Sequence, residues 1–506
     1  MKGTLGSLCS SVLASGLMFG LGACIAPPVE APKTTVEQQT DVSTSQNVKD
    51  QVDLLFMIDD SASMSPKQEA LKKRFPDLIN VLNTFAMQGS KASYHIGVVT
   101  SDLGAPGISC GYNLGGKLQQ RGQAKTNAAG CQGPTGANYI QYDQKTGTNN
   151  LPAGQDLPTT FSCMASVVDP DNTTGGHYGC GFEAQLEAVY KALHDPIPEN
   201  AGFLRDGAIL AVVFITDEDD CSVDAASDLF SANAAYGPLN SYRCAQFGIY
   251  CDGALLPATP QASFGSCMPA TQAQGGKLAE LTKYVNFFTQ SKAKGGVKED
   301  PRDVIVAAIT APSTPVGSMS VSGAQYCGAG ITSCTNISHS CVDSTNAQFF
   351  GDPSQRLSSV VTKVMNNQLT SICDTDYKSA LEGIGQKIIA ALKPSCLSAP
   401  IKDTNKPDCV VEDVTLTNGE EVRKTIPFCP AVNNQTPCWT TKQVTDCPKI
   451  CNPTNGCYQQ FGVDINRGGT MAPPNTTAQV SCATIAIANE DPNAACDANT
   501  AQTGCN

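Results

Sequence analysis

Two stretches of this 506-residue chain are apolar without interruption: residues 209–215 read ILAVVFI and residues 304–309 read VIVAAI. A strand with one wet face alternates apolar and polar residues, so unbroken runs of this kind predict central strands of a parallel sheet, buried on both faces. Residues 52–58 (VDLLFMI) and 95–100 (HIGVVT) add two more strands, with a weak one near 369–372. Helical spacing separates them. Leu71, Phe75, Leu78, Leu82 and Phe85 form one apolar face; Phe182, Leu186, Val189 and Leu193 form a second; Leu278, Leu281, Val285 and Phe288 form a third. Tyr377, Leu381, Ile384, Ile388 and Leu392 close the series. Strands alternating with helices predict an α/β class with a doubly wound, mostly parallel sheet.

Residues 51–395 are too many for such a sheet alone. The excess falls in three insertions, about 103–178, 218–274 and 312–352, rich in Gly, Asn, Thr and Cys. Cys110, Cys131, Cys163 and Cys180 fall around the first insertion, and Cys221, Cys244, Cys251 and Cys267 in the second. Cys327, Cys334 and Cys341 belong to the third, with Cys373 just beyond the weak strand. Even groupings predict local disulfides that pin long loops, with pairings open. From residue 396 to 506 helical periodicity disappears and ten cysteines crowd among turn residues, which predicts a small disulfide-stapled β domain around the only tryptophan, Trp439.

The amino terminus predicts export. A lysine, an apolar stretch and small residues before Cys24 describe a secretory signal over residues 1–23. Leu21-Gly22-Ala23-Cys24 resembles a bacterial lipobox, which implies acylation of Cys24, a lipid anchor and, with Ile25 next, an outer-membrane destination. Residues 24–50, rich in Pro, Thr, Ser and Gln, read as the anchor and a flexible tether. Of 24 cysteines, the 22 outside the signal and anchor suit an oxidising compartment, and the absence of Cys-x-x-Cys speaks against zinc. A net charge of −13 with no basic stripe argues against nucleic acid as a partner.

The first apolar run ends in Asp59-Asp60-Ser61-Ala62-Ser63-Met64. One carboxylate and two hydroxyls, spaced by single residues on a turn, can converge on a hard cation: Mg²⁺, Mn²⁺ or Ca²⁺. The run at 209–215 ends in Thr216-Asp217-Glu218-Asp219-Asp220, a second acidic cluster at a strand's carboxyl end. Ligands of open parallel sheets bind beyond such ends, where the strand order reverses. Asp219 and Asp220 read as a solvated acidic turn, and Asp102 as a loop cap.

Asp59-x-Ser61-x-Ser63 after one strand, with Thr216-Asp217 after a later one, resembles the von Willebrand factor A domain and its metal ion-dependent adhesion site. The Ser-Ile-Cys-Asp of residues 371–374 also resembles cysteine-rich lipoproteins of this class from myxobacteria-like organisms. The resemblance implies a divalent metal on Asp59, Ser61, Ser63 and Asp217, its coordination completed by an Asp or Glu of a protein partner. The family's further threonine is missing from the stretch Gly175-Gly176-His177-Tyr178-Gly179-Cys180-Gly181-Phe182-Glu183. Thr173 and Thr174 lie upstream, and Glu183 stands either as a replacement ligand or as a charge favouring the helix amino terminus.

The expected function is therefore adhesion, recognition or envelope assembly without catalysis. Two alternatives remain open on the sequence: a metal-dependent hydrolase of phosphatase type, and a periplasmic scaffold with a structural metal. Serine chemistry would need a base, and neither a Gly-x-Ser-x-Gly elbow nor an obviously placed histidine accompanies Ser61 or Ser63.

Overall fold

In the computed structural model the described residues are 38–44, 51–87, 92–106, 113–122, 131–168, 179–327, 330–392, 401, 403, 406–417, 420–443, 450–452, 456–458, 461–467 and 476–484. The signal at 1–23, Cys24, Cys110 and the stretch 171–178 with Thr173 and Thr174 lie outside them.

The apolar runs assemble one six-stranded sheet from β1 (Gln51–Ile58), β2 (Ser93–Thr100), β3 (Ile140–Asp143), β4 (Ile209–Ile215), β5 (Val304–Thr310) and β6 (Asn366–Ser371), in the order β6-β5-β4-β1-β2-β3. All neighbours are parallel except β3, which runs antiparallel to β2. Every residue of β4 and β5 is buried, which is why neither strand shows alternation.

Side chains leave the sheet on both faces. Leu54, Phe56 and Ile58 pack with Leu71, Phe75 and Leu78 of α1 (Ser65–Met87), Phe161 of α2 (Leu157–Ala165) and Leu381 and Ile384 of a long carboxyl-terminal helix. Leu55 and Met57 point the other way, to Leu186 and Val189 of α3 (Gln185–His194), Phe287 and Phe288 of α4 (Leu281–Thr289) and Leu357 and Val360 of α5 (Gln355–Val361). The long carboxyl-terminal helix is α6 (Lys378–Leu392).

The expected class, a doubly wound parallel sheet with a small β appendage, is corrected to a mixed architecture. Seven sheets are present among the described residues, and the other six are antiparallel and small. The physical reason lies in the insertions. The second and third are too long to stay irregular and satisfy their backbone with small sheets of their own. The first sends β3 into the main sheet as its antiparallel edge, and the other three small sheets involve residues 38–44 and 409–484. Cys251–Cys267 ties one such sheet, Cys327–Cys334 closes the segment linking strands Ser318–Ser322 and Ser333–Ile337, and Cys341–Cys373 fastens the third insertion just beyond β6. Cys131–Cys163 and Cys221–Cys244 are likewise local, and Cys180 is also disulfide-bonded.

A second departure concerns the stretch read as a tether. Within it Gln38–Thr44 forms a strand against Thr476–Thr484, which pairs in turn with Cys409–Thr417. Gln38–Thr44 thus shares one four-stranded sheet with Thr476–Thr484, Cys409–Thr417 and Glu420–Ile426. Trp439 is buried beside it with Val411, Ile426 and Val480, and Cys409–Cys482 and Cys429–Cys438 staple this region.

At the amino ends of the central strands, the fully buried Asp53 of β1 accepts bonds from the Arg205 backbone at 2.6 Å and its guanidinium at 2.7 Å. Arg205 also donates to the carbonyls of Val52 and Ser93, bolting β1 to β2. Removing one partner of a buried pair strands the other charge. Arg205→Ala should therefore cost about 3–5 kcal/mol in urea unfolding, far more than a surface substitution such as Lys145→Ala.

Candidate functional site

The register sets the site. Ile58 lies opposite Ile215, and the Asp59 amide donates to the Ile215 carbonyl at 3.0 Å, so the turns after β1 and β4 emerge side by side. Strand order runs outward in opposite directions from this pair, opening a crevice beyond their carboxyl ends.

Asp59 is wholly buried. Its Oδ1 accepts the Ser61 amide at 2.8 Å and its Oδ2 accepts the Thr216 hydroxyl at 2.7 Å. The Ser61 and Ser63 hydroxyls are 2.9 Å apart, and Ser63 Oγ donates to Asp217 Oδ1 at 3.0 Å. The structure therefore brings Asp59, Ser61, Ser63 and Asp217 into one cluster. Asp60 turns aside, its carboxylate accepting Ser101 Oγ at 3.1 Å. Gly179 packs over it: a Cβ there would sit 2.4 Å from Asp60 Oδ1, so this close approach requires glycine.

Glu183 joins the same wall. It lies just before α3, is 2 % exposed, and its Oε1 is buried without a hydrogen-bond partner. Its carboxyl interacts with that of Glu218, and the two border a cavity of about 30 Å³, room for a single water or ion. Burial is the main cause that raises these carboxyls. It pushes Asp59 up to about 6, helped by the Asp217 charge, and Glu218 up to about 8 against the opposing Glu183 hydrogen bond. Glu183 lies well above the usual range, through burial and then the Glu218 charge.

Lys67 is the residue the sequence reading missed. From the first turns of α1 its buried ammonium pairs with Asp217 Oδ2, donates to the Ser63 carbonyl at 3.3 Å, and lies 3.9 Å from the centre of the Phe350 ring. The signal was available: Lys67 is four residues after Ser63, one helical turn on, which returns it to the same face. The third insertion seals this side. The Asp352 amide donates to the Asp217 carbonyl at 2.8 Å, and His339 stacks on Phe350 while contacting Asp352.

Asp219 and Asp220 are not a solvated turn. Asp219 accepts the Arg356 and Leu357 amides at the start of α5, and Asp220 accepts the Leu186 amide of α3 and pairs with Arg356, which is 1 % exposed. Both position helices. Asp102 accepts the Gly104 and Asn113 amides, a loop cap.

No protein-family model matches the chain, and no curated protein sequence does. Among solved structures it is similar to the pilus adhesin SpaC of Lactobacillus rhamnosus GG in its open conformation. That match has 10 % identity and a TM-score of 0.32, and covers 88 % of this chain and 42 % of that one. The pilus adhesin RrgA of Streptococcus pneumoniae aligns at 11 % identity and TM-score 0.30, over 89 % and 59 %. The adhesive tip pilin GBS104 of Group B Streptococcus agalactiae gives 11 % and 0.28, over 88 % and 80 %. The chain thus spans about half the length of the first two, and scores this low carry no argument about function.

These findings correct the family reading. The von Willebrand factor A assignment has no matching family model behind it. The preformed adhesion-site ligand set is corrected as well. Asp217 is taken by Lys67 and Ser63, and no group of three or more His, Cys, Asp or Glu side chains is arranged around a metal position among the described residues.

The raised carboxyls fix the sign of a pH effect. Asp59 and Glu218 hold protons in the folded state up to about 6 and 8, whereas their ordinary values are 3.8 and 4.5. The folded protein therefore binds more protons than the unfolded chain between those limits, and stability falls as pH rises through them. Urea unfolding in EDTA should show higher stability at pH 5 than at pH 8, and Asp59→Asn should flatten the lower part of that slope.

Proposed function

We propose that this chain is a non-catalytic recognition protein of the cell envelope, lipid-anchored through Cys24 and probing its surroundings with the crevice beyond β1 and β4. In this reading the crevice takes up a divalent cation, Mg²⁺ or alternatively Mn²⁺ or Ca²⁺, at Asp59, Ser61 and Ser63, with Glu183 on the same wall and Asp217 held by Lys67. The cation then engages an Asp or Glu presented by a protein partner. The observation that carries it is the buried Glu183 Oε1, which has no hydrogen-bond partner among the described residues and whose carboxyl feels the nearby Asp59 charge. An all-oxygen, carboxylate-rich donor set suits these hard cations.

Disulfides within both halves of the chain support an oxidising, exported setting. No helix among the described residues is long and apolar enough to cross a membrane. The non-catalytic part rests on the serines. The described histidines bond elsewhere: His95 to the Phe203 carbonyl, His194 to Asp195 and His339 to Asp352. Among the described histidines none is bonded to Ser61 or Ser63 to take its proton.

Calorimetric titration of the full chain with Mg²⁺, Mn²⁺ and Ca²⁺ tests the reading. Saturable binding on the order of 10⁻⁴–10⁻³ M, the range of extracellular modules, should vanish in Asp59→Ala and weaken in Glu183→Gln. Absence of saturable binding by all three ions would overturn it.

A further inference from the structure

A second depression lies on the same end of the sheet, away from the carboxylates. It is bounded by the segment following β5, by one side of α5 and by the edge strand β6, and encloses about 460 Å³. That volume falls within the range of small-molecule sites. Its chemistry is unusual for so acidic a chain. Eight of its twelve lining residues carry a hydroxyl, and none is ionisable.

Ser358 and Thr362 spend their hydroxyl protons within α5 and its start, on Ser354 Oγ at 3.2 Å and the Ser358 carbonyl at 2.8 Å, but other hydroxyls of the depression are held less. Thr310 Oγ1 in the floor is buried without a hydrogen-bond partner. Thr370 reaches the Ala308 carbonyl only at 3.4 Å. Ser371 Oγ accepts the Cys373 amide at 3.1 Å and keeps its own proton to donate. The frame is nevertheless held. Gln355 Nε2 donates to the Ser313 carbonyl at 2.7 Å, tying the segment after β5 to α5, and Cys341–Cys373 anchors the chain beyond β6. Leu369 contributes a 39 % exposed apolar side chain to the wall.

A neutral ring of donors and acceptors beside one apolar patch matches a particular ligand chemistry. Phosphate, carboxylate and metal ions would find no counter-charge there. A fatty or aromatic ligand would bury hydroxyls without replacing their bonds to water. A neutral saccharide offers both what the rim can bond and, on its C–H face, what Leu369 can cover. We infer that this depression is a neutral-saccharide site, separate from the carboxylate crevice and independent of any cation.

The experiment is saturation-transfer NMR and calorimetry of the full chain in EDTA, so that no cation contributes. The probes are maltotriose, cellotriose and tri-N-acetylchitotriose. At least one should bind saturably, with binding abolished by Ser359→Trp, which fills the depression from α5. The double substitution Ser313→Ala with Thr314→Ala, which removes two rim hydroxyls without adding bulk, should weaken binding by about tenfold. Binding of none of the three, or binding unchanged in both variants, would overturn the assignment.

Discussion

One buried ammonium faces too many carboxylates. Lys67 pairs with Asp217, yet Asp59, Glu183 and Glu218 gather in the same crevice with no second cation paired to them among the described residues. A buried, unbalanced charge is costly, so such a cluster must hold protons or draw in a positive ion. The first course is open to Asp59 and Glu218, which are raised far enough to compete for protons near neutrality. The proposed function is the second course, in which a divalent ion takes the place of those protons.

The imbalance is built into the strand register. Parallel pairing of β1 with β4 sets Ile58 beside Ile215, and the next residues on each strand are then forced together. The opposite end of the same strands is balanced instead: Asp53 is met by Arg205, with Lys298 at 3.8 Å. One end of β1 is thus closed by a complete ion pair and the other left in deficit. Around the deficit, Asp219, Asp220 and Arg356 fix the starts of α3 and α5, so the walls stay in place without spending the crevice carboxylates.

Local patterning made the central strands legible. The runs at 209–215 and 304–309 are buried on both faces because they are β4 and β5, and a strand buried on both faces has no polar positions to interrupt it. That Asp59, Ser61, Ser63, Asp217 and Glu183 lie near one another followed from the pattern, because each follows a strand or precedes a helix whose position it fixes. What failed was inference across distance. Asp219 and Asp220 looked solvated because Arg356, their buried partner, lies more than a hundred residues away. Gln38–Thr44 looked like tether because its polar sequence shows no sign of the partner strand near the other terminus. The insertions carried too little periodicity to reveal their hairpins, and Lys67 was hidden in a helix read only for its apolar face. Three oxygens on a turn also suggested a family, which no family model matched.

The central claim is that the crevice accepts a divalent ion at Asp59. Its most direct test is an anomalous difference map from crystals of the protein grown with Mn²⁺. The account predicts one strong peak within coordination distance of the Asp59 carboxylate and the Ser61 and Ser63 hydroxyls. A map with no peak there, with Lys67 still seated on Asp217 and the carboxyls unchanged, would contradict it.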